Sequence, residues 1–409
     1  MNAARHRFAP QRGCTRVPLG LALASALGIA ALPGLVRAAT YTVTSNGDSG
    51  DGSCDATCTL RDAIAAANTS PGADTILFSS TLSGDTIVLD IAGNDHIVAS
   101  DILTIQGGAN RITVSGNGVA HSPSQDGGIL AFDGGNLTIS SISFADGKTL
   151  GSGGALSVVS TGDVKMSRVS LVGNYAGANG GGLLVSATGD VRIEYSTFND
   201  NRGVGNGSGG GFYAFGAHVI VVNSTLHGNF SNTFGGGFAM HGTLRMYNAT
   251  ISNNAAVFGG GGFSLLGGNG TMNNSIVADN SGPATYGTEF RAGTFNYVGS
   301  DFVANFSLIK GVFKVDGTFT NSNSKLFQDP RLGMLAYNGG PTRTQALLPG
   351  SPAIDSGSPS GISSICAIFD QRQMPRPDDG NGDDIYRCDM GAFEVGPIDL
   401  DRIFASGFD

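Results

Sequence analysis

Tryptophan is absent from this chain of 409 residues, and only 13% of the residues are charged. Glutamate occurs only as Glu194, Glu289 and Glu394, so strong helix formers are scarce. Glycine supplies 65 residues, but without the three-residue period that indicates collagen. Turn-forming Asp, Asn, Ser and Thr are abundant instead, and the composition therefore predicts a long all-β chain with many turns.

Basic residues are also few, and the first segment concentrates them. A start containing four arginines, an apolar run from Val17 to Leu32 and the small residue Ala38 predict a signal peptide over residues 1–38. We therefore expect a secreted or cell-surface protein; an uncleaved membrane anchor is the alternative. No later stretch is long and apolar enough to span a bilayer as a helix. Cleavage would lower the net charge from −9 to about −14, which opposes nucleic-acid binding.

Two short motifs recur through the middle of the chain. Glycine pairs followed by an apolar residue begin at Gly153, Gly181, Gly210, Gly236 and Gly261. A small and an apolar residue precede a second series, Asn174, Asn201, Asn229, Asn254 and Asn280. Repetition at intervals of 25 to 29 residues is typical of a solenoid in which each repeat forms one turn.

Alternating apolar residues before each asparagine motif indicate strands with one face turned to a core. These residues are Leu137/Ile139, Val164/Met166, Val191/Ile193, Val219/Val221 and Leu244/Met246. A second core column should contain Phe144, Leu171, Phe198, Leu226, Ile251 and Ile276. Because successive parallel connections are right-handed, we predict an all-β, right-handed parallel β-helix over residues 101–324.

The repeated asparagines and glycines also have structural interpretations. Stacked asparagines predict a ladder of amide hydrogen bonds, with ligand contact as the alternative. The glycine pairs predict tight corners that need a positive φ or a close approach of backbones. A phosphate-binding loop is the alternative for the glycines, although no Lys-Ser/Thr follows them.

A solenoid needs caps at its ends. In residues 39–100, the N-terminal cap and first strands, Thr59 and Asp62 predict the start of a short helix. Its apolar face, made by Leu60, Ala63, Ile64 and Ala67, should seal the core. Residues 325–396 should form the last turns and an irregular C-terminal cap, and residues 397–409 a short tail.

Four cysteines lie beyond the predicted signal peptide. An even number in an exported chain indicates disulfides. The marked turns would separate the two pairs by roughly 24 Å, far beyond disulfide reach. Cys54–Cys58 and Cys366–Cys388 are therefore the predicted bonds.

Several segments resemble known exported bacterial proteins. CTLRDAIAAAN (58–68) is similar to the segment named after a Cys-Ser-Leu-Arg-Glu-Ala motif, and the repeats look like those of polymorphic outer-membrane proteins. PAIDSG (352–357), DQRQMPRP (370–377) and CDMGAFE (388–394) resemble the choice-of-anchor C-terminal domain. The resemblance implies a surface or secreted β-helix and supplies no catalytic residues.

Candidate chemistry lies in a column read from the repeat. Asp163 should stack on Asp190, and His218 and then Thr243 should follow in the same column. Lys165, Arg192 and Arg245 should share a neighbouring outward column. Two stacked acids beside a base are able to bind Ca²⁺ or act on a sugar. Ordinary turn chemistry is the alternative, because Thr-Gly-Asp before a strand is a common turn.

An acidic loop offers oxygen ligands at alternate positions, Asp379, Asn381 and Asp383. This pattern suits a Ca²⁺ site in part, but Met390 stands where a helix-loop-helix site requires glutamate. A solvated turn is the alternative, and Ca²⁺ is the only cofactor that the sequence suggests. Four further histidines show no metal-ligand spacing: His96, His121, His227 and His241.

Aromatic residues gather near the glycine pairs. Phe212, Tyr213 and Phe215 are able to form a sugar-stacking platform. The alternative is a stacked core or corner column that also contains Phe234, Phe238, Phe258 and Phe263.

These observations predict an exported, monomeric β-helix that acts as a non-enzymatic adhesion or interaction scaffold. Its partner would be a surface protein or a polysaccharide. The alternative function is that of a polysaccharide lyase or glycoside hydrolase. An open groove around Asp163, Asp190 and His218 would favour the enzyme, and regular filled faces would favour the scaffold.

Overall fold

A computed structural model describes residues 37–90, 95–109, 111–120, 126–293, 300–359 and 366–396. Within these residues the chain coils into a right-handed parallel β-helix, which confirms the predicted fold class. Three parallel sheets run along the helix, and one antiparallel hairpin follows it. Residues 1–36 of the predicted signal peptide and the tail 397–409 lie outside the described residues.

Sheet 1 has sixteen strands, and most rungs cross it as one long bent strand or as two short strands in succession. The strands are β1 Thr40–Val43, β2 Ala73–Phe78, β4 Ile97–Gln106, β6 Leu130–Ser140, β9 Leu156–Ser160, β10 Val164–Ser167, β13 Leu183–Ala187, β14 Asp190–Glu194, β17 Phe212–Val222, β20 Phe238–Tyr247, β23 Phe263–Leu265, β24 Gly270–Asn273, β26 Phe290–Ala292, β27 Phe302–Asn305, β29 Phe313–Val315 and β30 Phe319–Ser322.

Sheets 2 and 3 complete the rungs, with ten and five strands. Sheet 2 contains β3 Thr86–Val88, β5 Ile112–Ser115, β7 Ile142–Ala145, β11 Ser170–Val172, β15 Thr197–Asn199, β18 Thr225–His227, β21 Thr250–Ser252, β25 Ile276–Ala278, β28 Leu308–Ile309 and β31 Lys325–Leu326. Sheet 3 contains β8 Lys148–Thr149, β12 Tyr175–Ala176, β16 Arg202–Gly203, β19 Phe230–Ser231 and β22 Ala255–Ala256. The hairpin pairs β32 Leu332–Ala336 with β33 Thr344–Leu347.

The stacking register confirms the predicted core columns, with one exception. Leu171 pairs with Phe198 in the next rung, as the spacing predicts. The prediction for Ile276 is wrong, because Val277 pairs with Ile251 and continues the column. Ile276 occupies the preceding, outward position of this rung. An isoleucine is stable there because its side chain packs in a second apolar cluster formed with the C-terminal part of the chain.

The glycine corners show both predicted features, a positive φ and a close approach of neighbouring backbones. Leu156 pairs with Leu183, so the first glycine pair is shifted by one residue relative to the other four. At the third corner Gly209 has a φ of 76°, which favours glycine. The next residue approaches its neighbouring rung closely, since a Cβ on Gly210 would lie 2.2 Å from the carbonyl oxygen of Gly236.

The predicted asparagine ladder runs through the buried corner between sheets 2 and 3. Each Nδ2 donates to the Oδ1 of the next asparagine over 2.8–2.9 Å, from Asn174 to Asn280. The ladder ends on Glu289, whose Oε2 accepts from Asn280 Nδ2 at 2.7 Å. Burial raises the pKa of Glu289 to about 7, although the hydrogen bonds from Asn280 oppose this shift.

Replacing Glu289 with Gln should therefore stabilise the protein at pH 8 and change little at pH 5. A raised pKa means that the stabilising contribution of Glu289 is full below about pH 4.5 and is lost as the pH rises through 7. A shift of this size corresponds to about 3 kcal/mol, and glutamine retains the acceptor without ionising. Urea unfolding at both pH values measures the difference. An equal change in unfolding free energy at pH 5 and pH 8 would contradict the prediction.

The N-terminal cap forms as predicted. Helix α1 spans Leu60–Thr69, and Thr59 and Asp62 form a reciprocal capping box at its start. The predicted apolar face of the helix is buried in the main core. Because α1 packs against β1, β2 and β4, it covers the first turns of the core.

The C-terminal segment, described over residues 328–359 and 366–396, folds back along the outer face of sheet 2. Thr197 Oγ1 donates to the carbonyl oxygen of Arg343 at 2.6 Å, and Thr225 Oγ1 donates to Gln371 Oε1 at 2.7 Å. Further along the helix, Thr250 Oγ1 accepts the backbone N–H of Ala392 at 3.0 Å. These outward threonines are buried because the segment covers them.

Buried charges hold this segment together. They come from the motifs that resemble the choice-of-anchor domain: Asp370, Arg372, Arg376, Asp389 and Glu394. Arg372 Nε donates to Asp370 Oδ2 at 2.7 Å, and Arg376 Nη1 donates to Glu394 Oε2 at 2.6 Å. Burial and the neighbouring Glu394 raise the pKa of Asp389. The motif residues thus organise the segment internally.

Candidate functional site

The column predicted from the repeat lies where the rungs bend within sheet 1. Asp190 pairs with His218, and His218 pairs with Thr243. Asp163 lies one rung before Asp190, and its Oδ1 accepts the backbone N–H of Asp190 at 2.9 Å. The structure therefore brings together the residues that the spacing placed in one column.

Asp163 has a structural part in this column. Asn136 Oδ1 accepts the backbone N–H of Asp163 at 2.8 Å, in the same way that Asp163 accepts that of Asp190. Asn269 Oδ1 repeats the contact with the backbone N–H of Asp301 at 3.0 Å. Because asparagine performs the same task in other rungs, the contact does not depend on a negative charge. The presence of an aspartate at position 163 is therefore explained by its hydrogen bond to the turn of the next rung.

Two shallow depressions open beside the column, and they share His218 and Thr243. Their volumes are about 220 Å³ and about 430 Å³. We call them together the bend cleft, whose lining side chains include Asp190, Phe215, His218, Ile220, His241, Thr243, Arg245 and Leu266. Asp190 is the only carboxylate among the described residues that line the cleft.

The predicted aromatic cluster divides between core and surface. Phe212 belongs to a buried stack in which successive ring centroids lie 4.6 to 5.0 Å apart, through Phe238, Phe263 and Phe290. Phe215 instead is 55% exposed at the cleft. The core-column interpretation is therefore confirmed for Phe212, whereas a sugar-stacking role for Phe215 stays a prediction.

The His241 ring lies next to both the exposed Phe215 ring and the Tyr213 ring. The Phe215 centroid lies 5.5 Å from that of His241, and Tyr213 lies 6.3 Å from His241 in an edge-on arrangement. Partial burial lowers the pKa of His241 and raises the pKa of Tyr213. Both shifts favour the neutral form of these two side chains.

The neighbouring cations have different environments. Lys165 pairs with Arg192 in the sheet register, but Ile220 separates Arg192 from Arg245. Lys165 and Arg192 both form ion pairs with Glu194, which sequence analysis did not connect with them. Arg245 remains as the cation that lines the bend cleft.

The acidic loop uses its side-chain oxygens to close turns. Asp379 Oδ2 accepts the backbone N–H of Asp384 at 2.8 Å, and Asn381 Oδ1 accepts that of Asp383 at 2.9 Å. Asp355, which sequence analysis did not single out, accepts the backbone N–H of Asn381 at 3.0 Å. Burial raises the pKa of Asp355 to about 6. A Ca²⁺ site at Asp379, Asn381 and Asp383 stays a prediction.

His227 and His96 have different neighbours. His227 Nδ1 lies 3.1 Å from the Ser252 hydroxyl, and burial lowers the pKa of His227. His96 lies beside Asp95 near the start of β4, and His121 falls outside the described residues. Across the described ranges, no three His, Cys, Asp or Glu side chains come close enough together to hold a metal ion.

Both predicted disulfides are present. Cys54–Cys58 closes the loop before α1, with Cα atoms 4.5 Å apart. Cys366–Cys388 joins two parts of the C-terminal segment, with Cα atoms 6.2 Å apart. They stabilise the two ends of the described chain separately.

Comparison with known proteins agrees with the fold. Residues 98–255 match a family model described as the right handed beta helix region. The crystal structure of pectate lyase Pel9A superposes with a TM-score of 0.43 at 13% identity, covering 89% of this chain and 98% of that one. So distant a likeness carries no argument about function. No curated protein matches the sequence. None of the described helices has the length and apolar character needed to cross a membrane.

Proposed function

We propose that this protein is an exported, non-enzymatic β-helix scaffold that binds a polysaccharide through the bend cleft. The observation that carries the proposal is the exposed ring of Phe215 beside a shallow, open depression. An aromatic ring offers a flat apolar surface to a sugar, while nearby polar groups orient its hydroxyls. His218, Thr243 and Arg245 supply such polar groups.

The arrangement of carboxylates supports binding without hydrolysis. Glycoside hydrolases use a pair of carboxyl groups on either side of the bond that breaks. Here Asp190 lines the cleft, whereas Asp163 is engaged with the backbone of the next rung. The alternative function, a polysaccharide lyase, is favoured by the proximity of Asp190 and Arg245 in one depression.

Replacing Phe215 with Ala should weaken polysaccharide binding by about tenfold, since an aromatic contact contributes about 1.5 kcal/mol. Affinity electrophoresis in gels that contain xylan, pectin, alginate or β-glucan measures the effect. Phe258→Ala is the matched control, because Phe258 is 51% exposed but lies at a corner beside Phe234.

Three results would contradict this function. The first is unchanged binding by Phe215→Ala, and the second is an equal loss of binding in Phe258→Ala. The third is release of reducing or unsaturated ends from any of these polysaccharides, abolished by Asp190→Ala. That third outcome would establish the enzyme alternative.

A further inference from the structure

A second depression lies on a different face, between sheet 2 and the loop of the β32–β33 hairpin. It has a volume of about 370 Å³, within the usual range for small-molecule pockets of about 300–1,000 Å³. We call it the arginine groove. Its lining residues include Arg111, Thr113, Ser143, Arg168, Ser170 and Tyr337. The hairpin loop forms one wall, so the groove exists only because the C-terminal segment folds back.

The groove is basic in an acidic protein. Arg111 and Arg168 line it, and among the described residues no carboxylate does so. The guanidinium of Arg111 lies 4.4 Å from the ring centroid of Tyr337, and that of Arg343 lies 5.2 Å from the same ring. Two guanidinium groups thus pack on one tyrosine and a third, that of Arg168, lines the same groove, although the whole chain has a net charge of −9.

Hydrogen bonds fix both lining arginines in place. Arg111 Nη2 donates to the carbonyl oxygen of Gly340 at 3.0 Å, and Arg168 Nε donates to the Ser141 hydroxyl at 3.1 Å. A guanidinium has five N–H donors, so each of these contacts uses a small part of the available capacity. An oriented guanidinium is well suited to pair with a planar or tetrahedral oxyanion.

The backbone at Arg168 provides an independent argument. Arg168 has a φ of 56°, in the left-handed region where a long side chain is disfavoured and asparagine is tolerated. Neighbouring rungs place Ser141, Tyr195 and Asn223 at the equivalent corner, with φ of 54°, 51° and 44°. The corner therefore accepts several residue types, and its backbone conformation does not require arginine.

We propose that the arginine groove binds an acidic saccharide, with a carboxylate or sulfate group held between Arg111 and Arg168. The hydroxyls of Thr113, Ser143 and Ser170 are placed to bond sugar hydroxyls along the same wall. This site is separate from the bend cleft and does not depend on the function proposed for that cleft. Through the arginine groove the protein recognises the negative charge of a saccharide.

Isothermal titration of the protein with oligogalacturonate, a sulfated disaccharide, a neutral oligosaccharide and inorganic sulfate tests the proposal. We expect a saturable signal with one or both acidic saccharides, and weaker binding as the salt concentration rises. Arg168→Asn should reduce the affinity at least tenfold, while its thermal unfolding midpoint does not fall. Phe215→Ala should leave this binding unchanged.

Arg331→Asn is the matched control, because Arg331 also has a left-handed φ of 50° but bonds to Pro349 away from the groove. It should bind acidic saccharides like the wild type. Equal binding of the neutral oligosaccharide, equal binding of inorganic sulfate alone, or wild-type affinity in Arg168→Asn would each overturn the proposal. Equal loss in Arg331→Asn would overturn it as well.

Discussion

Replacing Asn229 with Ala should lower the free energy of unfolding by about 3 to 5 kcal/mol. Asn229 Oδ1 accepts both the backbone N–H and the Nδ2 of Asn201, at 3.0 and 2.9 Å. Its Nδ2 donates to the Phe198 carbonyl oxygen and to Asn254 Oδ1, at 2.9 and 2.8 Å. The substitution therefore breaks four buried hydrogen bonds. It leaves the buried N–H of Asn201 without its acceptor.

Urea unfolding of the purified protein measures this change. Asn206→Ala is the control, because Asn206 lies in an exposed turn between β16 and β17, and its effect should stay within about 0.5 kcal/mol. A loss below about 1 kcal/mol in Asn229→Ala would show that water replaces the ladder contacts. The ladder would then contribute little to stability.

Replacing Arg376 with Met should destabilise the C-terminal segment by about 3 to 5 kcal/mol at pH 8, since it removes one partner of a buried ion pair. Arg376 Nη1 donates to Glu394 Oε2 at 2.6 Å and to the Asp389 carbonyl oxygen at 3.0 Å. Its Nη2 donates to the carbonyl oxygen of Gly391 at 2.8 Å. Without Arg376, Glu394 and Asp389 would remain as buried acids with no cation at this position.

The loss should be smaller at pH 5 than at pH 8. Burial raises the pKa of Glu394 to about 7, although Arg376 lowers it. Removing Arg376 raises the folded-state pKa further above its unfolded value. The associated stability is therefore full below about pH 4.5 and is lost as the pH rises. At pH 5 the neutral carboxyl no longer requires the guanidinium.

Unfolding in urea at both pH values, together with the rate of proteolysis within residues 366–396, measures the effect. Arg387→Met is the control, because Arg387 is exposed and belongs to the same segment. The prediction fails if the two substitutions destabilise equally, or if Arg376→Met destabilises equally at pH 5 and pH 8. Either outcome would show that the buried ion pair between Arg376 and Glu394 does not stabilise the C-terminal segment.

Local and periodic signals account for the features that were predicted correctly. Identical residues recur once per rung, so the positions of Asn201, Asn229 and Asn254 were enough to predict their stacking. The capping box at Thr59 and Asp62 depends on residues three positions apart. The alignment of Asp190 with His218 followed from the same period.

The bend cleft was predictable only in part. Spacing placed Asp190 and His218 in one column, but it did not separate Phe215 from Phe212. Both phenylalanines lie in one strand, β17, three positions apart and before the bend at Gly216, so the alternation of inward and outward side chains puts them on opposite faces. This alternation was the signal that could have separated the exposed ring from the buried one.

By itself, the sequence determined the parallel β-helix, its asparagine ladder and its N-terminal cap, because a repeat forces like residues into contact. Only the tertiary structure decided where residues 328–359 and 366–396 lie, because their contacts join positions more than a hundred residues apart, such as Thr197 with Arg343. The same long-range packing decided that Ile276 faces outward. It also brought Arg111 and Arg168 together with Tyr337, which no period in the sequence relates to them.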